Sequence, residues 1–234
     1  MSFLTLTNPC IMDKSSMTEE QYNLLLDQIF PILAGNGPGA TTMDLVARRL
    51  SMSKRTLYEI FGSKEQMLDE LLGRYHSKYA RMVLRIMSET PDMMTTMARV
   101  FLFHQRFMRV VNVNFFLDMD SRFPGLRKKY EENAQQWRHY VLTAFKTGVK
   151  QGVFRDDINY EVTAQLLRVQ MESLKRMEEF FPKNITLVEA YNAIIVGMLR
   201  SIATPKGMEI VDNMANKFKA KVDEHLTIDE LWEL

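Results

Sequence analysis

The sequence is short of turn-formers. Ten glycines and seven prolines stand in 234 residues, where average usage gives roughly 28 of the two together. So few breaks imply long helices with few connections, and exclude an all-β sandwich, a collagen-like repeat and a disordered chain. An excess of one charge is also missing: 30 basic and 29 acidic side chains leave a formal net charge of +1. No global field draws the chain onto nucleic acid or an anionic membrane, so any such partner must meet a local patch. The single cysteine, Cys10, cannot form an intrachain disulfide, which fits a reducing compartment. Long apolar runs are absent too; the longest, Ala193 to Leu199, falls far short of the ~20 residues a bilayer span needs. Residues 1–17 lack the basic start and apolar block of a secretory signal. These absences predict a soluble, cytoplasmic protein with no membrane partner. What is plentiful is methionine, 18 in all, a flexible and polarisable filler suited to a helical core that can repack.

Residues 1–17 show no clear period and read as an N-terminal extension. Thr18-Glu-Glu-Gln21 then matches a capping box, in which the Thr hydroxyl accepts an amide and Gln21 reaches back. Tyr22, Leu25, Leu26, Ile29, Ile32 and Leu33 follow at helical spacing, until Gly35-Asn36-Gly37-Pro38-Gly39 stops the helix. Pro31 inside it removes one hydrogen bond and should bend its last turn. Thr42 can cap a short helix to Leu50, and Ser53 a second from Lys54 to Phe61, with Ser51-Met52-Ser53 as a tight connection. Ser63-Lys-Glu-Gln66 opens a long helix to about Ser88. Longer amphipathic segments are predicted at about 92–111, 113–121, 125–151, 159–181, 186–203 and 206–222. No repeat and no strand-like alternation occurs. The expected fold is all-α, with a helix-turn-helix unit at 18–65, a larger helical body at 66–222 and a C-terminal tail at 223–234.

The segment that carries chemistry runs from Thr41 to Leu68, TTMDLVARRLSMSKRTLYEIFGSKEQML. Two short helices joined by a tight turn form the unit that presents its second helix to the DNA major groove. Ala47 is small where the two helices must approach. Between Arg48 and Lys64 stand five cations, Arg48, Arg49, Lys54, Arg55 and Lys64, against the single acid Glu59. Residues 1–80 as a whole hold eight basic and nine acidic side chains. Positive charge is therefore confined to one edge, as a contact surface for double-stranded DNA requires. Leu57, Ile60 and Phe61 should point inward, and Lys54, Arg55, Thr56, Tyr58 and Glu59 towards solvent. At the start of the second helix Lys54, Arg55 and Thr56 are the candidates to read base edges, Arg55 by two bonds to a guanine. Arg49, Ser53 and Tyr58 are candidates for phosphates. So are Thr42 and Ser63, at helix N-termini that favour an anion, and Lys64 beside the latter.

These residues resemble the TetR family of bacterial transcriptional regulators. The likeness rests on the first helix with Ile29 and Leu33, Gly35, Thr42, Ala47, and above all Ser53-Lys-Arg-Thr-Leu-Tyr58 followed by Phe61-Gly-Ser-Lys-Glu65. The pattern that marks the family's recognition helix and the start of its fourth helix reads LYEIFGSKEQM here. Further on, Gly148 to Asp157 looks like the loop before the family's eighth helix. Ser51 stands where the family's turn commonly holds glycine, Pro31 and the loop 35–39 are atypical, and Arg55 replaces a residue that is often small. The resemblance implies a homodimer with one N-terminal DNA-binding unit per chain and a helical C-terminal domain for ligand binding and dimerisation. It implies a repressor of a palindromic operator, released by a small molecule. It assigns phosphate positions to Thr42, Tyr58 and Lys64, and base-reading positions to Lys54, Arg55 and Thr56.

A stretch rich in Met and Phe suggests a lining for an apolar or amphipathic effector: Met97, Phe101, His104, Phe107, Met108, Phe115, Phe116, Met119, Trp137 and Tyr140. Apolar stripes at helical spacing are usually ordinary core. Two late helices carry broad apolar faces, Leu166, Leu167, Leu174 and Met177, then Val188, Tyr191, Ile194, Ile195, Met198 and Leu199. They are expected to form a symmetric four-helix dimer interface. Loop 35–39 lacks the Gly-Lys-Ser/Thr ending of a phosphate-binding loop. His76, His104, His139 and His225 have no partner at metal-ligand spacing, and Asp118-Met-Asp120 is too short to nominate an acid–base pair. No catalytic constellation, metal or cofactor is expected. The alternatives are a helix-turn-helix activator or architectural DNA-binding protein without small-molecule control, and an all-α carrier or enzyme.

Overall fold

The computed structural model describes residues 14–112, 114–132, 134–220 and 232. Among them no strand forms; an antiparallel bridge joins Phe154 to Ala203. The first helix, α1 (Glu19–Asn36), is followed by α2 (Met43–Arg49), α3 (Lys54–Phe61) and the long α4 (Lys64–Glu89). Then come α5 (Met93–Val110), α6 (Asn114–Arg122), α7 (Pro124–Glu132) and α8 (Ala134–Lys150). The series ends with α9 (Tyr160–Leu174), α10 (Met177–Phe180), α11 (Leu187–Ile202) and α12 (Pro205–Ala220). The all-α reading holds.

Local capping chemistry explains most of the starts. Thr18 with Gln21 and Thr186 with Glu189 close both bonds of a capping box. Thr42, Ser53, Ser63, Asp92 and Asn159 each accept the amide three residues on. Helix α1 continues through Pro31 and stops at Gly37, whose φ of 80° suits glycine.

Two expected helices are each divided. The segment predicted at 125–151 is α7 and α8. The one predicted at 159–181 ends at Leu174, where the amides of Lys175 and Arg176 bond three residues back, to Glu172 and Ser173. No Gly or Pro marks that second break; Lys175 is instead drawn to Asp120 of α6, 3.3 Å away. Tertiary pairing overrides local propensity there.

Buried apolar residues form two clusters whose boundary runs through α5. One gathers Leu25, Ile29, Leu33, Val46, Leu57, Phe61, Leu68 and Leu71 with Phe103, Phe107, Phe115 and Met119. The other joins Met94, Met97 and Ala98 to Phe145, Phe154, Leu167, Tyr191 and Ile195. The first three helices thus share their core with α4 to α6. Helix α4, 26 residues and about 39 Å long, connects the N-terminal unit to the body. No helix of the described residues is long and apolar enough to cross a membrane.

Candidate nucleic-acid interface

The α2–α3 turn is a Schellman closure. The amide of Met52 donates to the Ala47 carbonyl at 2.9 Å and that of Ser51 to Arg48 at 3.3 Å. Ser51 sits at φ 54°, the left-handed conformation for which glycine is preferred at such a position. Ala47, Leu57, Ile60 and Phe61 are buried, which holds α3 against the rest of the unit.

The outward edge of this pair carries Thr42, Arg48, Arg49, Ser53, Lys54, Arg55 and Tyr58, all exposed. Lys54 Nζ lies 3.0 Å from Asp44 of α2, and Arg55 Nε lies 2.8 Å from Glu59 one turn on. The hydrogen bond from each cation to its carboxylate raises the pKa of Lys54 and of Arg55, so both stay charged. Each is oriented along the surface by an exposed pair that costs little to open. Tyr58 turns its ring outward, 43% exposed.

Two expectations change. Thr56 is buried, and its hydroxyl lies 2.7 Å from Ser53 Oγ, which also accepts the Thr56 amide. It closes the helix start and is turned away from where a base edge would lie, because its position falls on the inward stripe shared with Leu57 and Ile60. Lys64 is only partly exposed: its Nζ donates to the Gly39 carbonyl at 3.4 Å and lies 5.5 Å from the centre of the Phe123 ring. Burial, then the nearby Arg122 charge, lower its pKa. Ser63 keeps its capping role, accepting the Gln66 amide at 3.1 Å.

The joint behind this edge was not foreseen. Asp118 of α6 accepts the Gly39 amide at 2.7 Å, and Asn112 donates its amide to Ala34 O at 2.7 Å and its side chain to Gly35 O at 3.3 Å. Thr41, fully buried, donates to Gly37 O at 2.8 Å. The corner between α5 and α6 thereby grips the last turn of α1 through Asn112 and the loop ahead of α2 through Asp118. Asp118 and Asn112 lie about 80 residues from these partners and have no local signal that pairs them.

The expected effector lining does not assemble as one wall. Met97 lies in the second apolar cluster, whereas Phe107, Phe115 and Met119 lie in the first. Tyr140 is 69% exposed. Phe101, His104 and Met108 are partly buried on α5; the side chains of Phe116 and Trp137 lie outside the described residues. His104 stacks on Tyr79 at 5.2 Å and meets Phe103 edge-on at 6.0 Å, and burial pushes its pKa down to about 4. Among the described residues one cleft lies beside Tyr75 and Lys78 and another beside Phe154 and Thr204; neither lining shares a residue with the expected set. Helical spacing alone does not separate packed apolar residues from cavity-facing ones.

The expected pairing face is also rotated. Leu167, Leu174, Tyr191, Ile195, Met198 and Leu199 are buried within the chain, and Met177, Val188 and Ile194 partly so. The outward apolar row on α9 is Val162, Leu166 and Val169; on α11, which packs on α9, Ala193 and Gly197 are exposed. Both helices are apolar on two sides, and packing of α11 against α5 and of α9 against α8 and α11 decides which side turns in. Among the described residues no group of three or more metal-binding side chains gathers.

Residues 25–71 match the family model for bacterial regulatory proteins, tetR family. Among solved structures the chain is similar to a transcriptional regulator of Saccharomonospora viridis in complex with choline, with 20% identity and a TM-score of 0.63, over 80% of this chain and 100% of that one. It is similar to a ketosteroid transcriptional regulator of Mycobacterium tuberculosis, with 19% identity and a TM-score of 0.54, over 80% and 97%. It is similar too to the regulator FadR of Bacillus subtilis in complex with stearoyl-CoA, with 16% identity and a TM-score of 0.50, over 77% and 99%. No curated protein matches. These likenesses show the fold: an N-terminal helix-turn-helix unit on a helical C-terminal body.

Proposed function

We propose, from the match of residues 25–71 to the family model for bacterial regulatory proteins, tetR family, that the chain is a cytoplasmic homodimer that represses transcription by binding a palindromic operator. One observation carries the reading: the matched segment exposes Arg48, Arg49, Lys54, Arg55 and Tyr58 on one edge of a capped, rigid α2–α3 pair. Lys54 and Arg55 enter the major groove, and opening their pairs with Asp44 and Glu59 frees them for bases. Arg49, Ser53, Tyr58 and the α2 start at Thr42 meet phosphates; Ser63 and Lys64, set back at the start of α4, meet a phosphate at the edge of the contact. Residues 18–65 act as the DNA-binding unit and 66–222 as the effector-binding and dimerisation body.

Pairing uses the outward row of Val162, Leu166 and Val169 with α11, and sets two recognition helices about one turn of DNA apart, ~34–36 Å or somewhat more. A small apolar or amphipathic effector contacts α5 near Phe101, His104 and Met108. The complexes of similar folds with choline and stearoyl-CoA support a ligand in such a body. Movement of α5 and α6 passes through Asn112 to the end of α1 and through Asp118 to the loop ahead of α2. Couplings of this kind typically amount to ~1–3 kcal/mol.

The test is a footprint on DNA flanking the protein's own gene. Two-fold symmetric protection is expected, weakening steeply with salt, each neutralised phosphate adding ~0.9 to the log–log slope. Absence of symmetric protection at low salt overturns the reading for that DNA. Protection that no small molecule relieves, with activation of the gene, would instead favour a helix-turn-helix activator.

A further inference from the structure

Trp232 lies in sequence beyond α12, which ends at Ala220, yet its ring is seated at the junction of α1, α4 and α5. The indole is 5.5 Å from the Tyr75 ring with the planes 62° apart, and 5.2 Å from the Phe103 ring at 44°. Lys78 Nζ stands over its face, 5.5 Å from the ring centre. Arg85 Nη2 donates to its carbonyl oxygen at 3.4 Å. Beside the indole a cleft continues between Leu26 and Phe30 of α1 and Leu71 of α4.

Each wall selects for a chemistry. Tyr75 and Phe103 present rings to a flat apolar group, at the tilted angles that aromatic quadrupoles favour. The ammonium of Lys78 favours an electron-rich ring over an aliphatic one, and it is held there by Asp27, 2.7 Å away. Arg85 supplies a donor for a carbonyl or carboxylate next to the ring. Tyr75, Lys78 and Arg85 share one face of α4.

The geometry points to a binding site for an indole-like ring bearing a neighbouring carbonyl, filled here by the chain's own Trp232 and open to free ligands of that chemistry by competition. A tethered occupant competes at high effective concentration, so the site accepts an outside ligand readily only once Trp232 is removed.

The chain holds two tryptophans, Trp137 and Trp232, so the full-length Trp137→Phe protein reports on Trp232 alone. Its emission should be blue-shifted from that of a free indole and resist quenching by acrylamide. Where Trp137→Phe does not fold, the difference spectrum of wild type and Trp232→Ala gives the same reading. In a second measurement N-acetyl-L-tryptophanamide should raise the melting temperature of full-length Trp232→Ala in a saturable way, by preferential binding to the folded state. Wild type should need at least ~10-fold more of it for the same shift. Solvent-like emission from Trp232, or equal shifts or none in the two proteins, overturns the proposal. Neither readout involves DNA, so this inference and the regulator reading fail separately.

Discussion

The Gly39 amide donates to Asp118 Oδ2 at 2.7 Å, and this bond ties the loop ahead of the α2–α3 pair to α6 across 79 positions of sequence. The contact is close enough that a Cβ on Gly39 would stand 2.6 Å from both carboxylate oxygens. Arg122 holds the same carboxylate at 3.1 Å, and Lys64 donates to the carbonyl of the same glycine.

Gly39→Ala should therefore destabilise the fold by about 1–3 kcal/mol, as an overpacked contact does. Asp118→Ala, which leaves the partly buried amide without its acceptor, should cost about 1–2 kcal/mol. Urea unfolding followed by circular dichroism measures both. Wild-type midpoints in the two variants would show that the joint carries no strain or bond of consequence.

On the recognition helix the two kinds of contact should separate. Arg55→Ala is expected to lose ~1–3 kcal/mol of discrimination at one base position. Tyr58→Phe should weaken every sequence alike. Asp44→Asn removes the partner that holds Lys54, so non-specific affinity should rise and the salt dependence steepen. Binding titrations of operator and scrambled DNA at several salt concentrations distinguish these patterns. A uniform loss in Arg55→Ala would remove that residue from base reading.

His104 gives a pH dependence with a definite sign. Its folded pKa, about 4, lies below the ordinary 6.5 because burial disfavours the charged ring. The unfolded chain binds the proton more readily, so this stabilising contribution is complete above about pH 6.5 and is lost as pH falls towards 4. Wild type should lose about 1–2 kcal/mol more than His104→Leu between pH 7 and pH 5. Parallel denaturant titrations at the two pH values check it, and identical losses would place the ring in water.

The outward row on α9 should govern pairing. Leu166, 58% exposed, can become lysine with little cost to the folded chain, so Leu166→Lys should sediment as a helical monomer. Its neighbour Leu167, 3% exposed, is turned into the core, and Leu167→Ala should cost about 2–5 kcal/mol of stability. A Leu166→Lys dimer in ultracentrifugation would move the interface elsewhere.

Much of the helix-turn-helix unit is legible in the sequence. Thr18, Thr42, Ser53 and Ser63 were readable as helix starts because a cap is a bond between residues three apart. The basic edge was readable because its members stand within two adjoining helices, and the turn between them because its bonds span only a few residues. Thr56 is the exception: it stands at a helix start among cations, yet packing turns it inward on the stripe of Leu57 and Ile60, and it is buried.

By itself, then, the order of residues determined the helical class, most helix starts and the cationic edge, since each depends on interactions within a turn or two of chain. Tertiary structure decided the break after Leu174, the inward side of α9 and α11, the division of the Met- and Phe-rich stretch between two cores, and the grip of Asn112 on the end of α1 and of Asp118 on the loop after it. It also seated Trp232 against Tyr75 and Phe103. Those outcomes depend on which of several equally apolar or polar faces meets a partner remote in sequence. The packing of the whole chain makes that choice, and no local pattern encodes it.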